Sequence, residues 1–151
     1  MKKVIMFFVF FILIVFLDQS IVYAKMIMVD KEKANIRSGP GTQYEILWSA
    51  VKYTPFEVLC KYKKWYIVRD FEGDIGWVYE TLVREEKAVI IIKKNAEIRS
   101  KPGSSFDVLW RVEKGYPFKV IEQKDRWLKV IDSEGDSGWV YKDSVWGLSV
   151  E

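Results

Sequence analysis

The chain of 151 residues contains no histidine and a single cysteine, Cys60. Without imidazole there is no Ser-His-Asp or Cys-His relay, no histidine-bearing zinc site and no histidine general base. A lone cysteine forms no internal disulfide and no structural zinc site, and Cys60 has no histidine to activate it as a nucleophile. Excess charge is also lacking: the formal charge is +3, and acids and bases are interspersed. That is not the basic footprint of a nucleic-acid binder. Helix-length periodic segments are absent, and the long apolar run is confined to the start.

There, Met1-Lys2-Lys3 precedes the unbroken apolar stretch Val4 to Leu17, and Val22-Tyr23-Ala24 offers small residues at the −3 and −1 positions of a cleavage site. Residues 1–24 are therefore read as a secretory signal peptide, because the run is short of the roughly 20 apolar residues of a spanning helix. With cleavage after Ala24 no membrane span is expected, and no cysteine stands at that site to carry a lipid. Loss of Lys2, Lys3 and Asp18 leaves a charge of +2.

The remainder is one unit written twice. Ile36-Arg37-Ser38-Gly39-Pro40-Gly41 returns as Ile98-Arg99-Ser100-Lys101-Pro102-Gly103, and Gly76-Trp77-Val78-Tyr79 returns as Gly138-Trp139-Val140-Tyr141, each at a shift of 62. Leu47-Trp48, Pro55-Phe56, Trp65 and Val68 recur at the same shift, so no insertion separates the copies. Such a gap-free period identifies a tandem duplication. Within each copy, short segments rich in aromatic and β-branched residues alternate with turn residues. The expected fold class is all-β: two small, strongly bent sheets or partly open β-barrels in tandem, at residues 26–85 and 88–147. Phe56, Val58 and Val68, with Phe118, Val120 and Val130, are expected in the cores because they alternate along their strands. Turns are expected at Lys63-Lys64, Glu72-Gly73, Asp125-Arg126 and Glu134-Gly135.

The succession Asn35-Ile36-Arg37-Ser38-Gly39-Pro40-Gly41, then Tyr44, then Lys64-Trp65-Tyr66-Ile67-Val68, then Gly76-Trp77-Val78 resembles the bacterial SH3-like domain of exported and cell-wall-associated proteins. The second copy keeps most of these motifs, but Glu97 replaces Asn35 and Lys101 replaces Gly39, the first glycine of the turn. The resemblance implies a small barrel that binds peptides, including peptidoglycan cross-bridges or stem peptides, or that docks a neighbouring protein. It does not imply catalysis or a cofactor, and its relatives' location implies a periplasmic, extracellular or wall-associated protein.

Aromatic side chains carry the expected site. A domain of about 60 residues cannot bury this many large rings, so some must line a surface. The candidates are Tyr44, Trp48, Trp65 and Trp77, with Phe106, Trp110, Trp127 and Trp139 in the second copy; the competing reading is that these rings are core. Tyr44 and Trp48, beside the glycine turn, are favoured for the groove. Arg37 and Arg99 either pin the barrel by pairing with an acidic turn residue or grip a ligand carboxylate. The acidic turns Asp70-Phe71-Glu72-Gly73-Asp74 and Asp132-Ser133-Glu134-Gly135-Asp136 lack the ligand order of an EF-hand and read as hairpin turns. Two functions follow: a binder of peptide or wall-peptide ligands, or an envelope adaptor that docks a partner protein through the same faces. Glu122 stands where the first copy has Cys60, so the thiol is expected to meet solvent, either inert or joining two chains by a disulfide.

Overall fold

A computed structural model describes residues 24–148; the expected signal peptide lies outside the described residues. In the first repeat, β1 (Met26–Val29), β2 (Lys33–Arg37), β3 (Ile46–Val51), β4 (Pro55–Tyr62), β5 (Trp65–Arg69) and β6 (Ile75–Tyr79) are followed by a 3-10 turn at Glu80–Leu82 and by β7 (Val83–Arg84). The second repeat runs through β8 (Ala88–Ile91), β9 (Asn95–Arg99), β10 (Val108–Glu113), β11 (Pro117–Lys124), β12 (Trp127–Ile131) and β13 (Ser137–Tyr141), then a 3-10 turn at Lys142–Ser144 and β14 (Val145–Trp146). Among the described residues no helix is long and apolar enough to cross a membrane.

Each repeat forms one seven-stranded antiparallel sheet, in the order β3-β2-β6-β5-β4-β1-β7 and then β10-β9-β13-β12-β11-β8-β14. The all-β class is as the sequence implies. No pairing joins β3 to β7 or β10 to β14, so each repeat is a strongly bent, open sheet rather than a closed barrel, within the range of forms expected from the strand signals. Two bulges do the bending. The register shifts between Val58 and Cys60 and, 62 residues on, between Val120 and Glu122; β2–β3 and β9–β10 shift likewise opposite Ile36–Arg37 and between Val108 and Trp110. A bulge adds one residue to one strand and turns that strand through a corner. The residues left over, Leu47, Leu59, Leu109 and Ile121, account for four of the exposed large apolar side chains. β4 pairs with β1 over Pro55–Glu57 and with β5 from Glu57 to Tyr62, so the β4–β5 pairing runs across the corner.

Strand alternation then fills two cores. Ile27, Val29, Ala34, Ile36, Ala50, Phe56, Val68 and Val78 form the first, and Val89, Ile91, Ala96, Ile98, Val112, Phe118, Leu128, Val130 and Val140 the second. Val58 and Val120 are partly buried against them. Lys63 and Asp125, each with φ 51°, turn the β4–β5 and β11–β12 hairpins. Asp70 Oδ1 accepts from the backbone N–H of Glu72 and of Asp74, both at 2.9 Å, and Asp132 does the same for Glu134 and Asp136. The acidic segments are thus hairpin turns organised by their first carboxylate.

The repeats touch. Met28 and Ile90 are buried yet belong to neither core, on the outer faces of β1 and β8. Gly147 reaches back so closely that a β-carbon on it would stand 2.8 Å from Pro55 Cβ. Lys114 pairs with Glu72 at 2.8 Å and lies over the Phe71 ring, while Lys119 pairs with Glu86.

Candidate functional site

On β5 and β6 the residues facing away from the core are Trp65, Ile67 and Arg69, and Ile75, Trp77 and Tyr79, since Val68 and Val78 point inward. Trp65 stands directly opposite Tyr79, with ring centroids 5.2 Å apart and planes inclined by 59°. The second repeat reproduces this with Trp127 and Tyr141, at 5.3 Å and 61°. Such tilted pairs expose ring face and ring edge together, which suits packing against a backbone or a small side chain.

Each pair floors a surface cleft. The first, of about 470 Å³, is lined by Asn35, Arg37, Gly41, Thr42, Gln43, Trp65, Tyr79 and Leu82. The second, of about 720 Å³, is lined by Asn95, Ala96, Glu97, Arg99, Gly103, Ser104, Arg111, Trp127, Tyr141 and Ser144. Seven lining positions correspond at the 62-residue shift: 35, 37, 41, 42, 65, 79 and 82 with 97, 99, 103, 104, 127, 141 and 144.

The arginines form the far wall by tying down the glycine turn. Arg37 Nη1 donates to the carbonyls of Thr42 at 3.1 Å and Tyr44 at 2.8 Å; Arg99 Nη1 donates to the Phe106 carbonyl at 2.6 Å. Their partners are backbone carbonyls of the turn, which corrects the expected pairing with the acidic turns. Arg99 Nη2 also donates to Glu97, and Arg111 donates to the other Glu97 oxygen at 2.9 Å. Arg111, with Arg99 beside it, holds the Glu97 carboxyl below the usual carboxylate range. In the first cleft Asn35 occupies that place and accepts from the Ser49 hydroxyl at 2.8 Å.

Of the sequence candidates, Trp65 and Trp127 line the clefts; the other six do not. Tyr44 is exposed, with its ring over Gly39, and Phe106 lies over Gly103 beneath the Lys101 ammonium. Gly39 is not at positive φ, so lysine occupies its place in the second copy without backbone strain. Trp48 and Trp110 pack against the two cores. Trp77 meets Tyr62 edge-on at 6.5 Å, and Trp139 is buried. Tyr79 and Tyr141 are not among the sequence candidates, although strand parity places each on the outer face opposite a candidate tryptophan. Cys60 is exposed on β4.

The tandem all-β repeats agree with comparison to known proteins. The model of the bacterial SH3 domain matches residues 30–85 and again 92–147, and the chain belongs to that family. It is 26% identical over 129 residues to "Putative N-acetylmuramoyl-L-alanine amidase YrvJ" of Bacillus subtilis, covering 78% of this chain and 25% of that protein. It is 36% identical over 64 residues to "Probable cell wall amidase LytH" of Staphylococcus epidermidis, covering 42% of this chain and 22% of the relative. The chain therefore spans about a quarter or less of the curated relatives it matches. Among solved structures, an NlpC/P60 family protein from Bacillus cereus matches 80% of this chain and 55% of its own, with 13% identity and a TM-score of 0.37.

Proposed function

We propose that this chain is an exported, non-catalytic binding protein of the bacterial cell wall, with each repeat holding a segment of wall peptide in its Trp–Tyr–Arg cleft. The observation that carries this reading is the recurrence of one cleft at seven corresponding positions in both repeats. Four of those positions keep the same residue in both repeats, Arg37, Gly41, Trp65 and Tyr79 with Arg99, Gly103, Trp127 and Tyr141, which supports one class of ligand for both clefts. The family supports a binding role, and the names of the amidase relatives supply the wall as the place to look. The chain has no histidine to support relay catalysis. An extended peptide on paired rings draws its affinity from ring packing and exclusion of water. Two weak sites joined by a short linker gain by avidity on a repetitive polymer.

Retention on purified sacculi tests the proposal. Trp65→Ala and Trp127→Ala should each weaken retention, at about 2 kcal/mol for an aromatic anchor, and the double variant should lose far more. Wild-type retention by a folded double variant would overturn it.

A second reading, a partner protein docked on the first repeat, has its own observation. Tyr62 and Ile75 are exposed near Cys60 and Trp77, whereas the second repeat carries Lys124 and Ser137 in their places. Co-purification of one protein without sacculus binding would favour this adaptor, and a disulfide-linked dimer through Cys60 would place a second copy there.

A further inference from the structure

The two clefts differ in one respect that bears on what each accepts. In the second, the outer guanidinium nitrogen of Arg99 already holds a carboxylate, that of Glu97. In the first, both hydrogen bonds of Arg37 leave from Nη1 toward the turn, and among the described residues no carboxylate pairs with it. Asn35 is neutral and one methylene shorter than Glu97, and its oxygen is engaged by Ser49. The second repeat thus displays, with a side chain of its own, where a carboxylate sits in this cleft.

We propose that the first cleft is a carboxylate receptor and that the second is the same receptor occupied by its own Glu97. A ligand carboxylate, from a peptide C-terminus or an acidic side chain, is taken by Arg37 above the Trp65–Tyr79 pair and is turned away from Arg99. This rests on the reading that the clefts bind peptide. An arginine presents parallel N–H donors that match the two oxygens of a carboxylate, and such charge-assisted bonds are the stronger class. Arg37 is already positioned by the Thr42 and Tyr44 carbonyls, so little side-chain freedom remains to be lost on binding. Glu97 remains ionised at neutral pH, held so by Arg111 and Arg99, and it occupies the outer Arg99 donor that an incoming carboxylate would need. The duplicated domains would then grip a polymer unequally, one cleft reading an acid and the other the rest of the peptide.

Titration of the full chain, following the indole N–H signals of Trp65 and Trp127 by NMR, tests this. The probes are N-acetyl-dialanine with a free C-terminal carboxylate, its C-terminal amide, and N-acetyl-glutamic acid with its α-carboxyl amidated. Trp65 should respond to at least one acid at about tenfold lower concentration than to the neutral amide, the worth of a hydrogen bond to a charged group; which acid does so identifies the source of the carboxylate. Trp127 should show no such preference. Asn35→Glu should abolish the preference at Trp65, and Glu97→Asn should confer it on Trp127. Equal response of Trp65 to acids and amide, or preferences unmoved by both exchanges, overturns the inference. If that happens while the Trp65→Ala, Trp127→Ala double variant still loses sacculi, only the carboxylate assignment falls. If no probe moves either indole and the double variant binds sacculi normally, the cleft reading falls with it.

Discussion

Gly76 lies so close to Ile36 that a β-carbon on it would stand 2.4 Å from Ile36 Cγ2, and Gly138 repeats the relationship with Ile98 at the same 2.4 Å. Ile36 and Ile98 are fully buried, so neither can swing aside. Gly76→Ala and Gly138→Ala should therefore each destabilise by about 1–3 kcal/mol through overpacking. Urea midpoints check this, and unchanged midpoints would show that the sheet yields at that crossing.

Trp48 and Trp65 separate stability from binding. Trp48 packs against the first core, whereas Trp65 lines the cleft. Trp48→Ala should cost about 2 kcal/mol, less than the 3–5 of a fully buried aromatic, and leave peptide affinity of the folded fraction intact. Trp65→Ala should do the reverse. Melting curves and peptide titration on both variants give the comparison.

Tyr116 donates to Asp132, a buried carboxylate, at 3.1 Å. Burial, and then the bond to Asp132, raise the tyrosine pKa above its usual value near 10. The proton is held more tightly in the folded chain than in the unfolded one. The resulting stability is fully present below pH 10 and is lost as pH rises through the raised value. Tyr116→Phe should remove this alkaline limb. Urea midpoints measured across that range would show it, and identical alkaline limbs in the two proteins would refute it.

The separate cores predict separable folding. A fragment of residues 25–86 should melt cooperatively, though less stably than the full chain, because it loses the Gly147 contact on Pro55 and the Lys114–Glu72 pair. Glu86 adds a pH signature: the hydrogen bond from Lys119 holds its carboxyl below the usual range. That contribution is present above about pH 4.5 and lost as pH falls through the lowered value. Lys119→Met in the full chain should make the acid limb shallower. An unfolded fragment would mean that the repeats form one cooperative unit.

The Cys60 thiol is exposed, beside Lys61 and Tyr62 at the surface. A disulfide reagent such as Ellman's should therefore react with the native chain about as fast as with the unfolded one. Strong protection in the native state would place a partner or a second copy over this strand.

Most strands are legible because turn residues bracket runs of β-branched and aromatic residues: β1, β5 and β6 begin where the pattern begins. β7 and β14 are not, since two residues after a 3-10 turn carry no period. The places where the sheet bends are likewise hidden, because bulges at Leu47 and Leu59 leave alternation nearly intact on either side. At the cleft, proximity to the glycine turn favours Tyr44 and Trp48, yet the decisive fact is strand parity across β5–β6, which joins Trp65 to Tyr79. Two-strand parity needs the register, and register is set by the Lys63 turn and the Val58–Cys60 bulge together.

The edge position of β14 has a mechanical consequence. It pairs with β8 alone, through Val145–Ile91 and Trp146–Ile90. Tension drawn from that end would open those bonds one pair at a time, as a zipper, rather than shear many at once. The Gly147–Pro55 contact lies just beyond, so the same pull would release it first, while the Lys114–Glu72 and Lys119–Glu86 pairs still joined the repeats. Under load the chain would lengthen first by the release of β14, ahead of the longer strand pairs that carry both clefts.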